Sequence, residues 1–227
     1  MSFVKDAELT LVVGRRGSGK STLTKGLLKD RPKVLVFDPQ AEYGGRGWVR
    51  CETRIEILRA MRKRWATGFK IAYVPDAGNE AEELHAVSLL CLSANAPYND
   101  YADPRKLTLV VEEANLSIPS RQLPGDLNGI QRVINQGRHF GIEVIAVTQR
   151  PAMVSINFRG NVATSYVFPL AEEDDRDAMV KKMGKAWREP LRVLPNHSCL
   201  MHRDGHVTPM KVGKDGRLAR VSLLKFS

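Results

Sequence analysis

The sequence predicts an α/β fold with a mainly parallel central sheet flanked by helices. Short runs of β-branched residues alternate with longer amphipathic stretches, the order expected of successive βαβ units. The run Leu107–Val111 carries only Thr108 as a polar residue, which is typical of a central parallel strand. Because 227 residues suit one domain with a buried core, we expect a single domain over 1–227. Its core should cover about 9–170, and 171–227 should add a helix and a β-hairpin.

The individual elements follow from the hydrophobic period and from the residues that end each run. The predicted strands are 9–13, 34–37, 71–74, 107–111, 142–148 and 165–168. The predicted helices are 21–29, 54–65, 80–92, 127–137 and 172–183. Glycines 44, 45 and 47 mark a loop, and 97–105 reads as a polar loop. Asp204-Gly205 between 197–203 and 206–211 predicts the hairpin. The apolar segment 217–226 is expected to pack back on the domain or on a neighbour.

The helix at 54–65 is the most basic in the chain. Thr53 is its expected N-terminal cap, and Ile55, Leu58 and Met61 lie at helical spacing, so we expect them on its buried face. Five cations surround that face: Arg54, Arg59, Arg62, Lys63 and Arg64. This helix is interpreted as a solvated outer face, with contact to a DNA backbone as the alternative.

Charge and cysteine content narrow the function classes. A net charge of +10, from 35 Lys plus Arg against 25 Asp plus Glu, suits a polyanionic partner such as nucleic acid, with solubility as the alternative. Cys51, Cys91 and Cys199 are widely spaced and set in apolar surroundings, which favours reduced core thiols and the interior of a cell. Neither a secretory signal nor an apolar run near the ~20 residues of a membrane helix is apparent.

A glycine-rich motif follows the first predicted strand and precedes the first predicted helix. It matches the pattern G-x-x-x-x-G-K-[ST], in which backbone N–H groups and a helix N-terminus bind phosphates. We therefore predict ATP binding, with Lys20 reaching the β- and γ-phosphates and Ser21 holding Mg²⁺. The residues assigned to the nucleotide are Gly14, Arg15, Arg16, Gly17, Ser18, Gly19, Lys20, Ser21 and Thr22.

Two acidic residues follow the apolar run Leu107–Val111. Nucleotide-hydrolysing proteins with this loop use a carboxylate at the end of a neighbouring strand to hold Mg²⁺. Glu112 is predicted to contact the metal directly or through water, and Glu113 to act as the general base that polarises the attacking water. Glu112 is Glu where Asp is usual, which weakens the metal assignment more than the base assignment.

The segment from His139 to Pro151 resembles the corresponding segment of FtsK-HerA DNA-pumping ATPases. It reads His-Phe-Gly-Ile-Glu-Val-Ile-Ala-Val-Thr-Gln-Arg-Pro, and Gln136-Gly137-Arg138 precedes it. Asn161 ahead of the strand at 166–168 extends the likeness, as does the earlier run Asp38-Pro39 with Glu42-Tyr43. The likeness implies a RecA-like P-loop NTPase domain. With so few residues beyond the motor core, the chain is most similar to genome-packaging ATPases of tailless icosahedral viruses with an internal membrane.

The resemblance implies roles for residues outside the glycine-rich loop. Gln149 would sense the γ-phosphate or orient water, and Arg138 would be an arginine finger supplied to a neighbouring subunit. Arg150 and Arg159 are alternatives for the finger, and a solvated helix end is an alternative reading of Arg138. The implied assembly is a ring, a hexamer by resemblance, acting on double-stranded DNA. It would work in the host cytoplasm or at a packaging vertex, where capsid or membrane proteins could dock it without direct membrane insertion.

Another function class shares the glycine-rich loop. A P-loop kinase acting on a small molecule would use a mobile lid rich in arginine, and 171–190 with Arg176 and Arg188 could form one. The C-terminal His and Cys residues suggest zinc, but their spacing favours a plain hairpin; they are His197, Cys199, His202 and His206. Tyr98 and Tyr101 could stack on bases, or only pack.

Overall fold

The computed structural model describes residues 3–222. Within that range ten strands form one sheet. The strands are β1 (Leu9–Val13), β2 (Lys33–Phe37), β3 (Val49–Cys51), β4 (Phe69–Tyr73), β5 (Leu107–Val111), β6 (Ile142–Thr148), β7 (Thr164–Val167), β8 (Ser198–Arg203), β9 (His206–Val212) and β10 (Leu218–Arg220). Their order across the sheet is β10-β9-β8-β7-β1-β6-β5-β2-β4-β3.

The seven neighbouring strands β7, β1, β6, β5, β2, β4 and β3 are parallel to one another. Strands β8, β9 and β10 extend the sheet beyond β7 in antiparallel pairs. The register pairs Val13 of β1 with Thr148 of β6, and Phe37 of β2 with Val111 of β5. The carboxyl ends of four central strands therefore lie side by side. In open α/β sheets this edge is where ligands bind.

Nine α-helices and two short 3₁₀ turns, Pro151–Met153 and Lys185–Trp187, occupy residues 3–222. The helices are α1 (Lys20–Leu27), α2 (Arg54–Arg64), α3 (Glu80–Ala94), α4 (Ala96–Asn99), α5 (Ala114–Ser117), α6 (Gly129–Phe140), α7 (Ile156–Asn161), α8 (Glu173–Met183) and α9 (Arg188–Arg192).

Successive residues of each parallel strand pack into two separate cores, because side chains alternate between the faces of a sheet. Leu11 and Val13 enter a core that α2, α3, α6 and α8 cover, whereas Val12 enters a second core beneath α1 and the C-terminal strands. Burial on both faces explains why the strands read as continuous apolar runs. The predicted α/β fold is confirmed.

The structure corrects the predicted inner face of α2. Ile57 and Met61 are buried, whereas Ile55 is 60% and Leu58 40% exposed. Helix α2 packs against β3 and β4 at the edge of the sheet. Ile57 and Met61, spaced i and i+4, lie on the same face of the helix and fill this contact. Thr53 caps the helix as predicted, in a reciprocal capping box with Glu56.

Other boundaries differ from the sequence prediction by a few residues, but several short elements were not predicted, among them helices α5, α7 and α9. Strand β3 was not predicted, because three residues at a sheet edge carry almost no periodic signal. The predicted polar loop at 97–105 begins inside helix α4, where Tyr98 is only 1% exposed. Phe3 packs edge-on against Tyr98 and Tyr101, so both tyrosines contribute to packing.

The predicted hairpin is present; its first strand is one residue shorter and its second strand one residue longer than predicted. Arg203 of β8 pairs with His206 of β9 across Asp204 and Gly205, which both adopt left-handed backbone conformations. Of the apolar segment predicted at 217–226, Leu218–Arg220 forms β10 against β9, while 223–226 lies outside the described residues.

The three cysteines are buried and unpaired, as predicted from their apolar surroundings. Burial raises the pKa of each thiol, to about 11 for Cys51 and about 12 for Cys91 and Cys199. These thiols therefore act as small core side chains. None of the helices in residues 3–222 combines the length and the hydropathy needed to cross a membrane.

Candidate active site

The loop between β1 and α1 curls at the carboxyl edge of the sheet. Gly17 and Gly19 adopt left-handed φ angles of 73° and 113°, and α1 begins directly afterwards at Lys20. The N–H of Arg15 donates to the carbonyl of Pro169 at 2.7 Å, so the segment after β7 anchors the start of the loop. This local geometry is that of a phosphate-binding loop at a helix N-terminus.

A cleft of about 400 Å³ opens beside this loop. It collects residues from the carboxyl ends of β1, β2, β5 and β6, the four strands that the register aligns. Its lining residues are Arg16, Gly17, Lys20, Ser21, Gln40, Glu42, Glu112, Glu113, Val147, Thr148 and Gln149. Most of the residues assigned from sequence to nucleotide and catalysis therefore share one cleft.

Among residues 3–222, Lys20 is one of two cations that line the cleft, with Arg16. Its ammonium donates to the carbonyl of Arg15 at 3.2 Å, which holds the side chain over the loop. Burial lowers the pKa of Lys20, and the nearby carboxylates of Glu113, Glu112 and Glu42 oppose that shift. A lysine beside carboxylates and the N-terminus of a helix is suited to an anion carrying its own metal ion.

Glu112 is buried at the end of β5, with 7% of its surface exposed. Its Oε1 accepts a hydrogen bond of 2.6 Å from the hydroxyl of Tyr43. Burial raises the pKa of Glu112 to about 7; the Tyr43 hydrogen bond opposes the shift, while Glu42, Asp38 and Glu113 add to it. Burial beside this carboxylate also raises the pKa of Tyr43, so the hydroxyl stays protonated and donates.

Glu113 and Gln149, two of the predicted site residues, both line the cleft and contact each other. The amide of Gln149 donates to Glu113 Oε1 at 3.1 Å across the ends of β5 and β6. Glu113 has a left-handed backbone, with φ at 45°, which is uncommon for a residue other than glycine and clusters at functional sites. The turn aims its side chain into the cleft beside Lys20.

The donor set in the cleft fits Mg²⁺. Mg²⁺ prefers hard oxygen ligands and is held in nucleotide sites by one or two protein groups together with phosphates and water. The hydroxyl of Ser21 and the carboxylate of Glu112 are such donors, and both line the cleft. Across residues 3–222, no group of three or more His, Cys, Asp and Glu side chains is placed to hold a metal ion.

The C-terminal extension straps the phosphate-binding loop and α1, a feature the sequence analysis missed. The N–H of His197 donates to the Ser18 carbonyl at 2.7 Å, and Arg15 donates to Asn196 Oδ1 at 3.1 Å. A Cβ on Gly19 would lie 3.0 Å from His197 Nδ1. Some 180 residues separate these partners along the chain, so no local pattern could have indicated the contact.

The loop after β2 is a second region that sequence reasoning left without a role. Gln40 and Glu42 line the cleft, and Tyr43 reaches Glu112. The run Asp38-Pro39 followed by Glu42-Tyr43 was noted as part of a resemblance. Its position at the end of a central parallel strand was the signal that could have placed it in the site.

The arginines considered as fingers do not line the chain's own cleft. Arg138 is near the end of α6, where its Nε donates to the Lys5 carbonyl at 2.7 Å. This is the amino edge of the sheet, opposite the phosphate-binding loop. Arg150 pairs with the buried carboxylate of Asp175 at 2.8 Å, and Arg159 donates to the Val154 carbonyl at 3.1 Å.

Comparisons with known proteins show where this fold occurs. No protein-family model matches the chain, and no curated protein does. Solved structures match: the genome packaging NTPase of Sulfolobus turreted icosahedral virus 2 with ATP-gammaS has a TM-score of 0.68 at 16% identity. That match covers 89% of this chain and 96% of the viral one.

Two further solved structures show the same fold. The DNA-packaging ATPase of Sulfolobus turreted icosahedral virus has a TM-score of 0.68 at 17% identity, over 89% of this chain and 96% of that chain. ATPases 2 and 3 of EssC from Geobacillus thermodenitrificans give a TM-score of 0.57 at 12% identity, over 90% of this chain and 39% of that one. The fold is that of P-loop ATPases, and the predicted resemblance is confirmed at the level of the fold.

Proposed function

We propose that this protein is an ATPase of the FtsK-HerA type that hydrolyses Mg²⁺-ATP and uses the energy to move double-stranded DNA. The observation that carries the proposal is the convergence of Lys20, Glu113 and Gln149 in one cleft beside a phosphate-binding loop. A carboxylate hydrogen-bonded to a polar amide, facing a lysine, is the arrangement needed to activate water beside a phosphate chain.

The chain's own residues would divide the chemistry among them. The backbone N–H groups of Gly17, Gly19, Lys20 and Ser21 and the ammonium of Lys20 would hold the phosphates and balance the charge that develops on them. Glu113 would take the proton as the water oxygen bonds to the γ-phosphorus, and the bond to the β–γ bridging oxygen would break, giving ADP and phosphate. Gln149 would orient that water. Mg²⁺, when bound to Ser21 and Glu112, would neutralise the phosphate oxygens.

The step from hydrolysis to DNA movement rests on charge and on structural likeness. The net charge of +10 suits a polyanion, and the two viral proteins that share the fold are described as packaging genomes or DNA. By the same likeness we propose packaging of a viral genome into a preformed capsid by a ring of subunits, a hexamer by resemblance. Within such a ring, Arg138 would serve a neighbour's cleft, and its position away from its own cleft, where it donates to the Lys5 carbonyl, supports that role.

The kinase alternative gains no support from the segment that could have formed its lid. Arg176 donates hydrogen bonds to the carboxylate of Glu173 and to the Leu170 carbonyl. Arg188 forms salt bridges with Glu173 and Asp177. Neither arginine lines the cleft. The segment 171–190 is built from α8 and α9, which pack against each other.

Phosphate release with and without duplex DNA tests the proposal. We expect hydrolysis that duplex DNA stimulates, together with ATP-dependent displacement of a third strand from a DNA triplex. Lys20→Ala is expected to lose both activities. ATP-dependent phosphorylation of a small molecule without any effect of DNA would contradict the motor and favour a kinase.

Mixed assemblies test the role proposed for Arg138. Arg138→Ala subunits keep an intact cleft but supply no finger, whereas Lys20→Ala subunits supply a finger but lack a working cleft. Mixing the two variants is expected to restore part of the activity that each lacks alone. If Arg138→Ala alone hydrolyses ATP like the native chain, Arg138 is not the finger, and the same experiment on Arg150 and Arg159 follows.

A further inference from the structure

Tyr43 and Glu112 form a buried pair at the back of the cleft. Tyr43 is 4% and Glu112 7% exposed, and the hydroxyl donates to Oε1 at 2.6 Å. Within residues 3–222, this is the only hydrogen bond that the carboxylate of Glu112 accepts from a side chain. One oxygen of the carboxylate is thus occupied, and Oε2 is left for another ligand.

The loop that carries Tyr43 is held rigidly at its base. The buried carboxylate of Asp38, at the end of β2, accepts the N–H of Glu42 at 3.0 Å and the N–H of Tyr43 at 2.8 Å. These two bonds fix the turn so that the tyrosine ring points toward β5.

The ring itself is packed on two sides. Trp48 meets it edge-on with 5.2 Å between the ring centroids, and the ammonium of Lys25 in α1 lies 5.2 Å from the ring centroid. Both contacts restrict the ring, so its hydroxyl has one accessible partner, Glu112. The contact with Lys25 also ties this loop to the helix that follows the phosphate-binding loop.

We propose that Tyr43 is a positioning residue for the metal-binding carboxylate: it fixes Oε1 of Glu112 and so presents Oε2 to the Mg²⁺ of the nucleotide. The inference rests on the proposed function, because it assigns Tyr43 a task in the same site. A long glutamate side chain at a position where Asp is usual has an additional rotatable bond. The hydrogen bond from Tyr43 removes that freedom.

Partners that orient a metal ligand typically change metal affinity or activity by about 10- to 100-fold when they are removed. Tyr43→Phe removes only the hydroxyl and keeps the packed ring. We expect this variant to require about 10- to 100-fold more Mg²⁺ for half-maximal hydrolysis. Its affinity for a fluorescent ATP analogue in EDTA should equal that of the native chain, because the phosphate-binding loop is untouched.

Tyr73→Phe is the matched control. Tyr73 donates to Glu83 Oε2 at the same distance of 2.6 Å, and neither residue lines the cleft. This variant loses an equivalent tyrosine–glutamate bond and should keep the native Mg²⁺ requirement. Asp38→Asn is a second test variant, for use if Tyr43→Phe fails to fold. It removes an acceptor of the loop's N–H groups and should likewise raise the Mg²⁺ concentration required for half-maximal hydrolysis.

Metal binding is also read without turnover, from the electron paramagnetic resonance signal of free Mn²⁺ titrated into protein with a non-hydrolysable ATP analogue. Weaker Mn²⁺ binding in Tyr43→Phe, with Tyr73→Phe like the native chain, is the expected result. Native Mn²⁺ affinity and a native Mg²⁺ requirement in Tyr43→Phe would overturn the role of Tyr43 alone. A native chain without any metal-dependent nucleotide binding would overturn the proposed function as well.

Discussion

The contact between Gly26 and Gly216 makes a prediction that runs against ordinary helix propensity. Gly26 lies inside α1, where alanine usually stabilises a helix by about 1 kcal/mol relative to glycine. In this structure a Cβ on Gly26 would lie 2.6 Å from the carbonyl oxygen of Gly216, and 2.8 Å from its carbonyl carbon and Cα. Gly26→Ala is therefore expected to destabilise the protein.

The magnitude follows from what must move. The obstructing atoms belong to the backbone of the turn between β9 and β10, which also accepts the ammonium of Lys29 at the Asp215 carbonyl, at 2.6 Å. Forcing a group into such a contact costs about 1 to 3 kcal/mol. Subtracting the gain in propensity leaves a net loss of about 1 kcal/mol, which lowers the Tm of a chain of this length by about 3 °C.

Gly160→Ala provides the comparison, since Gly160 lies in helix α7 and nothing would lie within 4 Å of its Cβ. That variant should match the native chain or gain up to about 1 kcal/mol. Thermal unfolding followed by circular dichroism, with the two variants side by side, measures the difference. A Gly26→Ala chain as stable as Gly160→Ala would refute the close packing of the C-terminal turn on α1.

Two further predictions concern carboxylates that pair with cations, one partly buried and one buried. Asp103→Asn should lower the free energy of unfolding by about 3 kcal/mol at pH 7, because the ammonium of Lys33, which is 0% exposed, loses its carboxylate at 2.9 Å. The hydrogen bonds from Arg105 and Lys33 lower the pKa of Asp103 in the folded chain. The ionised carboxylate therefore stabilises the fold fully above the ordinary carboxyl pKa, and this stabilisation is lost as the pH falls through the lowered pKa of the folded chain. Urea denaturation should thus show the difference between native chain and variant narrowing below about pH 4, and a constant difference would contradict this account. Asp175→Ala should lower the free energy of unfolding by about 2 kcal/mol, because its carboxylate, 1% exposed, accepts the Ala152 N–H and pairs with Arg150. These contacts hold the segment after Gln149, so the rate of ATP hydrolysis should fall more than the affinity for ATP. Equal losses of rate and affinity would argue against that role.

Much of the site could be predicted because its signals are local. Two motifs, Gly14 to Ser21 and the two acids after β5, each directly follow a predicted strand. Because the carboxyl ends of parallel strands lie at one edge of the sheet, their side chains could be expected to share one site. Gln149 came from a resemblance, and its hydrogen bond to Glu113 gives that assignment a physical basis. Arg138 remains a prediction, because a finger acts between subunits.

The remaining features depend on contacts that no local pattern encodes. The strap of His197 and Gly216 on the phosphate-binding loop and α1 joins segments far apart in the sequence. The prediction that Ile55 and Leu58 lie on the buried face of α2 was wrong. The spacing of apolar residues does not show how much of a helix its neighbours cover. Tyr43 reaches Glu112 only through a turn that the side chain of Asp38 holds in place.

The most direct test of the candidate active site compares binding and turnover in Glu113→Gln. This change keeps the size of the side chain and removes the proton acceptor beside Gln149, while Lys20 and the phosphate-binding loop stay intact. We predict that the affinity for ATP changes by less than about threefold, whereas kcat falls by about 100- to 10,000-fold. A Glu113→Gln chain that hydrolyses ATP at the native rate would contradict the assignment of this cleft as the site of hydrolysis.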